Sequence, residues 1–177
     1  GQIDMNPAHI IRECYTEPWG MNYQESDIDD DSFTASAVQL TAEGMGISLV
    51  WDRQITCEEF INEIKRHINA VIYVDKTSGK IKLKLIRDDY DPAGLITLGP
   101  DEITNLSSYD RVDVTEAINH VTVKYWDAQT EADATVSVDN PAMVESQGGV
   151  NPTTIQYPGF TNARIAAIAA NRDLKIF

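Results

Sequence analysis

"ITCEEFINEIKRHINAVIYVDKTSGKIKLKLIRD", residues 55–88, sets a helix and a hairpin back to back and decides what kind of fold the chain can adopt. Thr56 can accept from a free N–H of the first turn, while Glu59 reaches back to the N–H of Thr56. Together they make a capping box. Ile55 before the cap and Phe60 after it form a hydrophobic staple, and Phe60, Ile61, Ile64 and Ile68 then recur on one face. The spacing predicts a helix over about 57–68. Beyond Asn69 the period changes to two: a short apolar run, a turn with Gly79, then Ile81, Leu83 and Leu85 alternating strictly with Lys80, Lys82 and Lys84. This is a hairpin with one wet face.

The same signals recur outward from this stretch. In "MNPAHIIRECY" Asn6 can cap, Pro7 fits the first helical position, and Met5 can staple onto Ile10. A helix at roughly 7–15 follows, with Ile10, Ile11, Cys14 and Tyr15 facing inward. Near the other end Thr161 is the expected cap, with Phe160 stapled to Ile165 and Ile165, Ile168 and Ala169 on one stripe. Val121, Val123 and Tyr125 alternate with Thr122, Lys124 and Trp126 before a return strand through Val136 and Val138. "GISLVW" and "TTIQY" add two candidate strands, and "NPAMVES" a short turn started by proline. Residues 87–110 are rich in Asp, Pro and Gly without a sustained period, which suggests a boundary there. The expected organisation is α+β: a helix-strand-helix-hairpin module over 4–90, then a mainly β module with a terminal helix over 91–177.

Composition narrows function. The 177 residues, 42% hydrophobic, are enough for a real core. No apolar run approaches the roughly 18 residues of a membrane span, and no signal-peptide pattern opens the chain, so it reads as soluble. Gly at the first position, and a helical rhythm still running at the end, suggest an excised piece of a longer protein. Fourteen basic residues against 28 acidic ones give −14, with no basic cluster for a phosphate backbone, which disfavours nucleic-acid binding. Cys14 and Cys57 lie far apart in sequence without a CxxC spacing, and read as two buried reduced thiols suited to folding in a cytoplasm.

The acidic stretch "ESDIDDDSF", residues 25–33, invites a metal reading. Counted from Asp27 as a calcium loop, the sixth position is Ser32 and the twelfth Val38, where Gly and Glu are needed. A helix start fits better: Asp29, Asp30 and Asp31 complement the unpaired N–H groups, Phe33, Ala37 and Leu40 form a face, and Gly44 and Gly46 stop it. Asp27, Asp29 and Asp31 remain weak cation candidates.

Other chemistry is thin. His9, His67 and His120 fall in separate elements; His67 lies near a helix C-terminus, where a cation is favoured, and reads as a satisfied structural histidine. No HExxH, GxSxG or P-loop pattern occurs, and Glu58 and Glu59 are accounted for by the capping box. "QGGVNPTT" reads as a turn at Gly148 and Gly149. Trp19, Trp51 and Trp126 could stack on sugars or fill a core. No cofactor and no catalytic residue is expected.

Four segments in order carry a resemblance: "NPAHIIRECYTEPWGM"; "IDDDSFTASAVQLTAEGMGISLVWDRQITCEEFINEIKRHINAVIYVDKTSGKIKLKLIRD"; "EAINHVTVKYWD"; and "VDNPAMVESQGGVNPTTIQYPGFTNARIAAIAANRDL". Together they resemble phage tail proteins related to the tail-tip and host-specificity proteins of long-tailed phages and to baseplate hub proteins. The resemblance implies a non-enzymatic virion component from a phage or prophage, made in the host cytoplasm. It implies a homotrimeric ring in the full-length protein that meets other tail-tip, tail-tube and tape-measure proteins, with no specific nucleic acid and no membrane insertion by this piece. Three copies of an acidic chain around a channel would repel DNA and let it slide. The competing expectations are a receptor- or carbohydrate-binding module and, less strongly, a carboxylate-based cell-wall hydrolase.

Overall fold

The computed structural model describes residues 4–50, 55–105, 108 and 116–176. Its architecture is α+β. Helix α1 (Pro7–Thr16) starts as expected, the Asn6 side chain accepting from Ala8 N and Pro7 occupying the first turn. Its buried side is Pro7, Ala8, Ile11 and Cys14, while Ile10 and Tyr15 are only partly buried. Met5 does not serve as a buried staple: it is exposed, and its backbone pairs with Ile47 through two hydrogen bonds of 3.0 Å.

The acidic stretch starts a helix. Asp29 caps α2 (Asp30–Glu43), accepting from Ser32 N at 2.9 Å, and Phe33, Ala37 and Leu40 are buried. Gly44 ends it at φ +65°, the left-handed conformation that glycine tolerates without a Cβ penalty. Helix α3 (Cys57–Ile68) matches the expected bounds, with the Thr56–Glu59 capping box formed in both directions. Strands β1 (Ala70–Val74) and β2 (Ile81–Leu85) form the antiparallel hairpin, Ile81, Leu83 and Leu85 facing the core. Two serines on α2 cover the far edge of β2: Leu83 N donates to Ser32 Oγ, and Ser36 Oγ donates to Leu83 O.

"GISLVW" does not form a strand. Its described residues, 46–50, run extended with one bridge at Ile47, and Ser48 N turns to Gly159 O instead of to a sheet; Trp51 lies outside the described residues. Residues 86–105 carry a single 3-10 turn at Pro92–Gly94, in keeping with their aperiodic sequence.

The second sheet is built on β3 (His120–Asp127), which pairs antiparallel with β4 (Ala132–Asp139) and parallel with β5 (Pro152–Gln156). The parallel neighbour requires the chain to cross over after β4. The crossing is made by α4 (Pro141–Gln147), a two-turn helix where a turn was expected, capped by Asn140 and closed by Gly148 at φ +71°. Asn119, fully buried, ties the crossing down: its Oδ1 accepts from Asn151 N, and its Nδ2 donates to Gly149 O and to Gln147 Oε1.

Helix α5 (Ala163–Ile176) lies across this sheet. The cap is Asn162, whose Oδ1 accepts from Ile165 N, because Thr161 donates instead to Asp4 Oδ2 at 2.6 Å. Ala166, Ala169 and Ala170, all fully buried, let the helix approach Val121 and Val123 closely, whereas Ile168 points outward. Buried residues of both halves belong to one cluster, and each fully buried Ile, Leu or Phe there contributes about 2 kcal/mol of burial.

Candidate functional site: the seam and its cleft

The perturbed side chains gather where α3 meets the turn after β5 and the last turns of α5. His67 projects from the final turn of α3 and has no exposed surface. Its Nε2 accepts from Gly159 N at 3.0 Å. The proton therefore sits on Nδ1, which donates to Glu63 O at 2.7 Å. Burial pushes the imidazole down to about 4, and Glu63 only partly opposes this. His67 is thus a neutral structural residue, because a charged ring would lose its acceptor nitrogen, and the cations at this helix end are Lys65 and Arg66. Tyr157 and Phe160 meet the ring edge-on, each with centroids 5.0 Å away.

Around this ring lies a chain of charged groups. The Tyr157 hydroxyl donates to Asp173 Oδ2 at 2.6 Å and accepts from Arg172 Nη2 at 3.0 Å. Arg172 also donates to Asp173 Oδ1 at 2.9 Å and to His67 O at 2.8 Å. Burial, followed by the hydrogen bond to Asp173, pushes the Tyr157 phenol up to about 12. Arg66 stacks over the Tyr157 ring at 4.4 Å, donates to Gln156 O at 2.7 Å and pairs with Glu63. Burial raises the Glu63 carboxyl, and Arg66 outweighs it, so the group is held low. Two further clamps flank the network. Arg164 donates to the carbonyls of Glu43 and Gly44 at the end of α2. Arg87 grips both Glu43 oxygens at 2.8 Å and donates to Ile68 O.

Beside the seam opens a cleft of about 850 Å³. Leu49, Ile55, Phe60 and Phe160 supply apolar wall, Glu59, Glu63 and Arg66 a charged one, and Trp126 stands at its side, 47% exposed. The charges are already engaged: Glu59 in its capping box, Glu63 and Arg66 with each other.

The cation candidates stay apart. Asp27 accepts from Gln24 N, Asp29 caps α2 and faces Lys82 Nζ at 3.8 Å, and Asp31 is an exposed first-turn residue. Glu25 and Asp30 both pair with Arg12. Among the described residues no group of three His, Cys, Asp or Glu side chains is placed to hold a metal ion. His9 is exposed, and His120 bonds Asp139 and Thr122 on the sheet surface. The two cysteines, distant in sequence, meet in space. Cys57 Sγ donates to Cys14 O at 3.6 Å, and burial raises the Cys14 thiol to about 12. Among the described residues no helix is long and apolar enough to cross a membrane.

Sequence reading missed Tyr157, Arg172 and Asp173. A signal existed: Asp173 continues the Ala166, Ala169, Ala170 stripe, and an acid on an apolar stripe must have a partner. Compared with known protein families and with curated proteins, the chain matches no family model and no curated protein.

Proposed function

We propose that this chain is a structural piece of a phage or prophage tail tip or baseplate hub, supporting tail assembly and host attachment. The observation that carries the reading is the ordered run of four segments quoted above, each of which supplies an element or cap of the fold. The seam supports it. An assembly protein needs modules that resist being pulled apart, and here the perturbed groups are spent on holding α3 to the β5–α5 turn. In this reading the full-length protein forms a trimer, contacts tail-tube and tape-measure proteins, needs no cofactor and performs no catalysis. Its place is the virion tail, after assembly in the host cytoplasm.

Immunogold electron microscopy on particles induced from the host strain tests this with antibody raised against the chain. Label confined to the distal tail tip is the expected result; tailed particles without label, from a lysate that contains the antigen, would overturn it.

A second reading, a receptor- or carbohydrate-binding module, is favoured by the half-exposed Trp126 beside the cleft. Quenching or a shift of tryptophan fluorescence on adding oligosaccharide, lost in Trp126→Ala, is its expected signature.

A further inference from the structure

We propose that the stretch after the hairpin, residues 88–103, docks on the β1–β2 hairpin of a second copy of this chain, with residues 96–98 adding a strand to the free edge of β1. Three features of the molecule meet in this proposal.

The first is the stretch itself. Tyr90, Leu95, Ile96, Leu98 and Ile103 are all exposed, Ile96 at 88%. With about 200 Å² for a large side chain, they and neighbouring Ile86 leave roughly 700 Å² uncovered, near the ~800 Å² that each partner gives a stable interface. Residues 96–98 run without helix, turn or bend and make no backbone hydrogen bond among the described residues, so their backbone is available to pair.

The second is an open sheet edge. Sheet β1–β2 has two strands, and no residue of β1 has a backbone partner beyond β2 among the described residues. The bonds Asp75 N to Lys80 O and Ile86 N to Asn69 O set the alternation, so the N–H and C=O groups of Ile72 point away from β2. Such an edge is a template for an added strand. The edge of β2, by contrast, is closed by Ser32 and Ser36.

Charge is the third. Val71 pairs with Lys84 and Tyr73 with Lys82, so the outer face of the hairpin mixes exposed apolar side chains with lysines. Lys76 and Lys80 extend it at the turn, leaving Asp75 as the one acid of the hairpin. The stretch carries Asp88, Asp89, Asp91, Asp101 and Glu102 and no base between them. In a chain of net charge −14 the hairpin is the basic surface that an acidic segment of another copy would seek.

The contact is head-to-tail, because stretch and hairpin are different surfaces, and it closes into a ring or runs on as a filament according to the rotation between copies. It would supply a contact for the trimer proposed above but is argued without it: label absent from the tail tip, with self-association intact, removes the tail reading and keeps this one.

The test is sedimentation velocity over a concentration series, with folding of each variant checked by circular dichroism. The wild type is expected to self-associate. Lys80→Glu with Lys84→Glu, and separately Asp88→Lys with Asp89→Lys and Asp91→Lys, should each raise the apparent Kd about 10- to 100-fold. An equimolar mixture of the two variants should recover association, since each surface then meets its opposite charge. Ile96→Asp should weaken association without touching the hairpin. A wild type that stays monomeric throughout, or folded variants that associate as the wild type does, or a mixture that recovers nothing, would overturn the proposal.

Discussion

The acidic stretch at 25–31 and the seam around Tyr157 both concentrate charge, and they use it differently. At the stretch the caps are local, Asp29 to Ser32 and Asp27 to Gln24, the longer reaches to Arg12 and Lys82 lie at or near the surface, and the dipole of α2 is complemented by Asp30 and Asp31. At the seam Asp173 and Arg172 are largely buried, and their bonds reach His67 and Tyr157 on other elements. The same carboxylate is a local cap in one place and a tertiary bolt in the other. What separates them is desolvation: a buried carboxylate without its partner is penalised by far more than an exposed one.

The largest expected effect breaks the bolt. Asp173→Ala leaves Arg172 charged and largely buried without its carboxylate, so unfolding by urea should show a loss of about 3–5 kcal/mol. Adding Arg172→Met removes the orphaned charge and should return part of that loss; a double variant as damaged as the single one would mean that lost packing, and not an unpaired charge, is responsible.

Next is pH. The folded imidazole of His67 sits at about 4, below its ordinary value of about 6.5. The unfolded chain therefore takes up a proton first, and stability that is fully present above about pH 6.5 is lost as pH falls towards 4, by about 3 kcal/mol in all. Below that the folded form is protonated too and this contribution falls no further. His67→Gln, which cannot take a proton, should flatten the pH dependence over that window, whatever its effect on stability at neutral pH.

Local elements were legible because caps and alternation are written within a few residues. The Thr56–Glu59 box, Asn6–Pro7, Asp29 and the Lys/apolar alternation of β2 all read through to structure. The seam was not, since its partners lie 92 and 105 residues apart and no local period links them. "GISLVW" has strand composition, yet its backbone bonds go to Met5 and Gly159, so tertiary contacts overrode propensity. The direction of β5 was equally hidden, being set by the crossing of α4 and the buried Asn119 that anchors it.

The smaller predictions sharpen the other side of the comparison. Asp29→Ala removes a partly exposed cap and should lower Tm by about 2–4 °C. Asp31→Asn changes only a dipole contact and should stay within about 1 °C. A rise in Tm on adding millimolar calcium that Asp29→Asn abolishes would show a cation site where only caps are described.

The seam ties α3 to the turn that follows β5, the strand paired with β3, so α3 and β3 should unfold together. Native-state hydrogen exchange across a urea series, read by mass spectrometry, measures this directly. Core amides of residues 57–68 and 120–127 should open with one free energy and one urea dependence in the wild type, and separate in Asp173→Ala. Wild-type amides of β3 that remain protected after α3 has opened would contradict the account.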